Sequence, residues 1–86
     1  MKIILINAIW CSGCIVMKKI WNEVMTLYPE IELVKLDYDF DEEEVFPYNP
    51  GKLLPVAIFL DENDNEITRL NGEKKLEEIL NVIEGK

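Results

Sequence analysis

The chain opens on a nearly unbroken apolar run, Ile3-Ile4-Leu5-Ile6, inside the segment Lys2 to Ala8. A strand that is apolar at every position, and not at alternate ones, is buried on both faces, in the middle of a sheet covered by helices. The period then changes. From Ser12 to about Tyr28 the residues Met17, Ile20, Trp21, Val24 and Tyr28 recur at helical spacing, with Lys18, Lys19, Asn22 and Glu23 on a polar side. Pro29 ends that helix, because the residue before a proline avoids helical geometry. At its start Ser12 offers a hydroxyl as a cap and Gly13 lets the chain turn tightly. Ile31 to Asp37 alternates, with Ile31, Leu33 and Lys35 on one side and Glu32, Val34 and Leu36 on the other. Strand, helix and strand predict a right-handed βαβ unit with parallel strands.

The second half reads differently. Asp41-Glu42-Glu43-Glu44 suits the first turns of a short helix, where the dipole favours anions. Pro47 and Pro50 prevent a long one, and Asn49-Pro50-Gly51 is a turn. Val56 to Leu60 and Glu66 to Leu70 are strands. The turn residues Asp61 to Asn65 between them predict an antiparallel hairpin. A last helix is predicted from Glu73 to about Ile83, with Leu76, Ile79, Leu80 and Ile83 as its apolar stripe. The order βαβ, short helix, ββα predicts an α/β fold: a four-stranded mixed sheet with helices on both faces. Trp21, Met17 and Met25 are read as core.

At 86 residues the chain is expected to be one domain, residues 1–86. Its formal charge of −8 changes the functional picture. A nucleic-acid surface needs a positive field, so nucleic acid is excluded as a partner, and anionic membranes are disfavoured by the same field. The apolar runs fall short of the roughly 20 residues needed to span a bilayer. Met1-Lys2 before an apolar stretch resembles a signal peptide only faintly, since no small-residue cleavage pattern follows. The expected location is the cytoplasm, and the expected state a monomer. The acidic run Asp41 to Glu44 is most simply a solvated face, with a bias toward basic partner surfaces.

Both cysteines lie in one stretch, Trp10-Cys11-Ser12-Gly13-Cys14, between the first strand and the first helix. In a reducing compartment two cysteines point to redox or metal chemistry. A pair at i and i+3 closes a small, reducible disulfide. Free N–H groups at a helix start stabilise a thiolate, and thiols in such sites have pKa values of roughly 3.5–7.5. Cys11 is therefore the expected nucleophile and Cys14, taken as the more buried, the thiol that resolves the mixed disulfide. Three alternatives stand beside this. The pair could be small core residues. As a soft two-thiolate site it could carry Cu(I), although structural zinc is excluded by the lack of histidine and of further cysteines. Copper-carrying domains with a CxxC resemble βαββαβ and end on a strand, whereas this chain is predicted to end on a helix. The fold could also be a binding module with vestigial cysteines.

Trp10-Cys11-Ser12-Gly13-Cys14, followed by Leu54-Pro55-Val56, a hairpin, Gly72 and a closing helix, resembles the thioredoxin superfamily. The likeness covers nearly the whole chain, at a length close to glutaredoxin-sized members. It implies a thiol–disulfide oxidoreductase with no bound cofactor beyond the redox-active Cys11–Cys14 disulfide. Its partners would be disulfide-containing protein substrates and an electron donor, a reductase protein or glutathione. It further implies a cis Pro55, a Leu54 backbone that hydrogen-bonds substrate like an added strand, and Trp10 and Gly72 at the substrate groove. The chain departs from the family pattern at Leu5, where thioredoxins carry a buried aspartate. Lys35, at the position of that acid's lysine partner, is then expected to be a solvated strand lysine. Ser12-Gly13 matches neither the thioredoxin nor the glutaredoxin pair. Lys52 is the one basic residue near Pro55 that could meet a glutathione carboxylate.

Overall fold

A computed structural model describes residues 1–85. The strands are β1 (Lys2–Asn7), β2 (Glu32–Asp37), β3 (Val56–Leu60) and β4 (Glu66–Asn71). The helices are α1 (Ser12–Leu27), α2 (Glu42–Val45) and α3 (Leu76–Glu84), with a single 3₁₀ turn, Phe46–Tyr48, directly after α2. One mixed sheet has the order β2-β1-β3-β4. β1 runs parallel to β2, and β3 is antiparallel to both β1 and β4.

The uniform apolar run of β1 now has its reason. Ile3 and Leu5 point to one face, where they meet Ala57 and Phe59 of β3, Met17, Trp21 and Val24 of α1, and Ile79 of α3. Ile4 and Ile6 point to the other face and join Val56, Ile58 and Leu60 against Val45, Leu54, Ala8 and Cys11. Successive side chains of a strand alternate between faces, so a central strand with a core on each side must be apolar throughout. The shorter α2 covers the second face and leaves room there for the segment that carries Cys11.

Three boundaries move from the sequence reading. The cap of α1 is Cys11, whose Sγ accepts the Cys14 N–H at 3.1 Å; Ser12 is the first helical residue and supplies no cap. β4 continues to Asn71, because Asn71 pairs with Val56. The last helix begins at Leu76 and not at Glu73. Gly72 sits at φ +83° and buried, Lys74 N–H reaches Met17 Sδ at 3.3 Å, and Lys75 N–H donates to Glu78 Oε2 at 2.9 Å. Residues 73–75 are thus held along the end of the sheet before the helix can start.

Candidate active site

Cys11 lies at the junction where β1 passes into α1. Its N–H donates to Ala8 O at 3.1 Å, which bends the chain back over the end of β1. The hydrogen bond from Cys14 N–H means that the Cys11 sulfur, and not the Cys14 sulfur, faces the free N–H groups of the helix start. Both cysteines are free thiols. The expected order of burial is reversed: Cys11 is 7 % exposed, whereas Cys14 is half-buried. The reason is geometric. Cys11 packs into the α2-side core with Val45 and Leu54, while Cys14, one turn along α1, only borders that core and also lines a separate cavity.

Burial pushes the Cys14 thiol up to about 12, helped by its hydrogen bond with Cys11 and by the nearby Cys11 and Asp37 charges, against a smaller opposing bond from the Ala8 backbone. Cys14 therefore stays protonated at neutral pH, whatever its exposure. One consequence is measurable. The 240 nm thiolate absorbance attributable to Cys14, taken as wild type minus Cys14→Ser in the reduced protein, should stay absent up to about pH 10. Its appearance below pH 9 would show that burial does not hold the proton.

Of the sequence-predicted residues, Trp10, Cys11 and Leu54 share one cleft, whereas Cys14, Pro55 and Gly72 do not line it. A shallow cleft of about 310 Å³ is lined by Trp10, Cys11, Ser12, Gly13, Lys52, Leu53, Leu54 and Glu73. The Leu54–Pro55 bond is cis, as the resemblance implies. Gly72 N–H donates to Pro55 O at 2.8 Å, and a Cβ on Gly72 would meet Leu53 Cγ at 3.1 Å. Leu53, itself 62 % exposed, thus sits across Gly72 on the rim of the cleft. A Cβ on Gly13 would lie 3.4 Å from the Leu54 carbonyl oxygen and 3.1 Å from Glu73 Cγ. Gly13 therefore permits the close approach of the CxxC turn to the Leu54 segment.

Trp10 is 61 % exposed, and its place is fixed by two residues the sequence reading did not single out. Its indole N–H donates to Asp39 Oδ2 at 2.7 Å, and its ring meets Tyr38 edge-on at 6.0 Å. Both follow β2, and Tyr38 N–H in turn donates to Asn7 O at 2.7 Å. Glu73 was likewise not foreseen. Its only signal was proximity to Gly72.

Behind Cys14 a cavity of about 410 Å³ is lined by Leu5, Lys18, Trp21 and Lys35, among others. Lys35 pairs with Leu5 across the β1–β2 ladder and is exposed, as a solvated strand lysine would be, yet part of it faces the Cys14 side. Trp21 is buried as expected, although its Nε1 has no hydrogen-bond partner among the described residues. No group of three or more potential metal ligands occurs among the described residues.

Comparison with known proteins decides the family. The family model described as thioredoxin matches residues 1–85. The chain belongs to the thioredoxin family. It is accordingly a thiol–disulfide oxidoreductase, and Cys11-Ser12-Gly13-Cys14 supplies the redox-active cysteine pair of that family. A thioredoxin from Ophiophagus hannah is 29% identical over 76 residues, covering 86% of this chain and 70% of the relative. Among solved structures, thioredoxin-2, a component of the malaria parasite protein secretion machinery, superposes with a TM-score of 0.88 at 22% identity, over 99% of this chain and 82% of that one. A chain from the complex of ferredoxin:thioredoxin reductase with thioredoxin f2 gives 0.82 at 20% identity, over 98% and 74%. These structural likenesses bear on the fold. Proteins of the thioredoxin family act on disulfide substrates and typically need no cofactor beyond the cysteines.

Proposed function

We propose that the protein is a monomeric, cytoplasmic protein-disulfide reductase that cycles between a Cys11/Cys14 dithiol and a Cys11–Cys14 disulfide, with no bound cofactor. The observation that carries this reading is the division of labour within the pair. Cys11 Sγ accepts an N–H bond at the helix start and opens on the cleft beside Leu54, while Cys14 keeps its proton.

The steps follow. Cys11 attacks one sulfur of a substrate disulfide; that S–S bond breaks, and the other substrate sulfur leaves as a thiolate. In the mixed disulfide Cys14 gives up its proton to solvent. Cys14 then attacks Cys11 Sγ, and the second substrate sulfur leaves. Two electrons have passed to the substrate, which is now a dithiol, and the enzyme holds the disulfide. Leu54 offers its backbone to an extended substrate segment beside Cys11, and Trp10, Pro55 and Gly72 shape the surface around it.

A reductase protein is favoured over glutathione as the donor. Glutathione carries two carboxylates, and the cleft answers them with Lys52 alone while Glu73 opposes them. A Cu(I) carrier is not favoured by the family match, which is to thioredoxin over residues 1–85. The test supplies donors separately. The oxidised protein should be reduced by NADPH with a thioredoxin reductase at least about tenfold faster than by glutathione at equal thiol concentration. Faster reduction by glutathione would reassign the protein to a glutathione-linked role, and tight Cu(I) binding without disulfide exchange would overturn the reductase reading.

A further inference from the structure

A second groove adjoins the cleft. It has a volume of about 440 Å³, and its walls include Tyr38, Asp39, Glu42, Phe46, Pro50 and Lys52. Lys52 belongs to both cavities, and the Trp10–Asp39 hydrogen bond fastens the rim of one to the wall of the other. A chain lying beside Leu54 with a cysteine on Cys11 therefore reaches this groove within a few residues, at about 3.3 Å per extended residue.

Two features set the groove apart from an ordinary solvated face. Phe46, 80 % exposed, lines the groove together with Tyr38, whose ring meets that of Trp10 edge-on at the border with the cleft. A large apolar ring left open to solvent on the wall of a cavity, with a second ring beside it, marks a recognition surface. The charge around them is of one sign. Asp39 and Glu42 line the groove and Glu43 and Glu44 continue along α2, against Lys52 alone. Among the described residues the two side-chain ion pairs are Lys2–Asp64 and Arg69–Glu66, so the α2 carboxylates are uncompensated. Aromatic faces beside unpaired carboxylates suit a guanidinium above all, which stacks on a ring while its N–H groups meet an acid.

We propose that this groove is a specificity subsite for the disulfide substrate, and that it selects an arginine, or less well a lysine, in the segment flanking the reactive cysteine. The proposal deepens the protein-disulfide reductase reading and rests on it. No bond forms or breaks in the groove; it raises the rate at which Cys11 captures basic substrates.

The test uses the full-length Cys14→Ser protein, in which Cys11 chemistry stops at the mixed disulfide. Short cysteine peptides activated with thionitrobenzoate carry arginine, glutamine or glutamate at each position from two to four residues on either side of the cysteine. Release of the chromophore reads the capture rate. At low salt the best-placed arginine peptide should react at least about tenfold faster than its glutamate counterpart, and the ratio should shrink as salt is raised. Glu42→Gln and Phe46→Ser, each alone, should cut that ratio to about threefold or less, whereas Glu23→Gln with Glu62→Gln, which removes two charges elsewhere, should preserve it. Equal rates for arginine and glutamate peptides at every position would overturn the proposal while leaving the reductase reading intact. So would a preference that persists undiminished in both groove variants, since it would come from net charge alone. If no peptide forms an adduct with Cys11, the reductase reading falls and the proposal with it.

Discussion

Cys11→Ser is expected to lower the rate of insulin disulfide reduction, with dithiothreitol as donor, by at least roughly 10³-fold, down to the rate of dithiothreitol alone. Serine in its place retains the cap of α1, since a hydroxyl accepts the Cys14 N–H as readily as a thiol does. The variant should therefore fold, and its loss of activity cannot be ascribed to a broken helix. Cys14→Ser is expected to fail differently. Cys11 still attacks, but nothing resolves the product, so the protein accumulates as a covalent mixed disulfide visible by mass spectrometry. If Cys11→Ser accumulated the adduct and Cys14→Ser did not, the roles would be reversed, and the protonated state inferred for Cys14 would be wrong.

The second large effect is on stability. Phe59 is fully buried in β3, between Leu5-side core residues of β1 and the apolar faces of α1 and α3. Phe59→Ala removes the side chain where three elements meet, and such truncations cost about 3–5 kcal/mol. A chain of this size has roughly 4–13 kcal/mol to lose, so a large share of its stability goes. The midpoint of thermal unfolding should fall by at least about 12 °C. A control is Ile67→Ala in β4, where the side chain is 55 % exposed and the change should stay within about 0.5 kcal/mol. Equal losses in the two variants would contradict the placement of the core.

Much of this fold could be read before the structure. The parity of β1, with Ile3 and Leu5 to one face and Ile4 and Ile6 to the other, follows from an unbroken apolar run. The buried stripe of α1, Met17, Trp21 and Val24, follows from helical spacing. These signals are local and periodic, and physics reads them one element at a time. The Leu54–Pro55 geometry and the approach of Gly72 were legible only through likeness to a family. What escaped was non-local. The late start of α3 depends on Lys74 N–H reaching Met17, a residue 57 positions away. Trp10 finds Asp39 across 29 positions, and nothing in either neighbourhood announces the pairing. The burial order of the two cysteines depends on how closely α2 and Leu54 close over Cys11, which spacing does not carry.

The same limit applies at the tuning of the pair. Leu5 stands where an acid was expected of the family, is buried, and faces the α1 side of the sheet opposite Lys35. No carboxylate of β1 is thereby placed to take the Cys14 proton. Release of that proton rests on the solvent that reaches half-buried Cys14 through the cavity behind it.

The most direct measurement is therefore a single exchange with the wild-type protein. Fully reduced protein is mixed with an equal amount of a protein disulfide, quenched with an alkylating reagent, and both partners are weighed. The predicted result is that the substrate gains two alkylated thiols while this protein loses both of its own and holds one Cys11–Cys14 cross-link. Recovery of the protein with both thiols alkylated and the substrate disulfide intact would contradict the account.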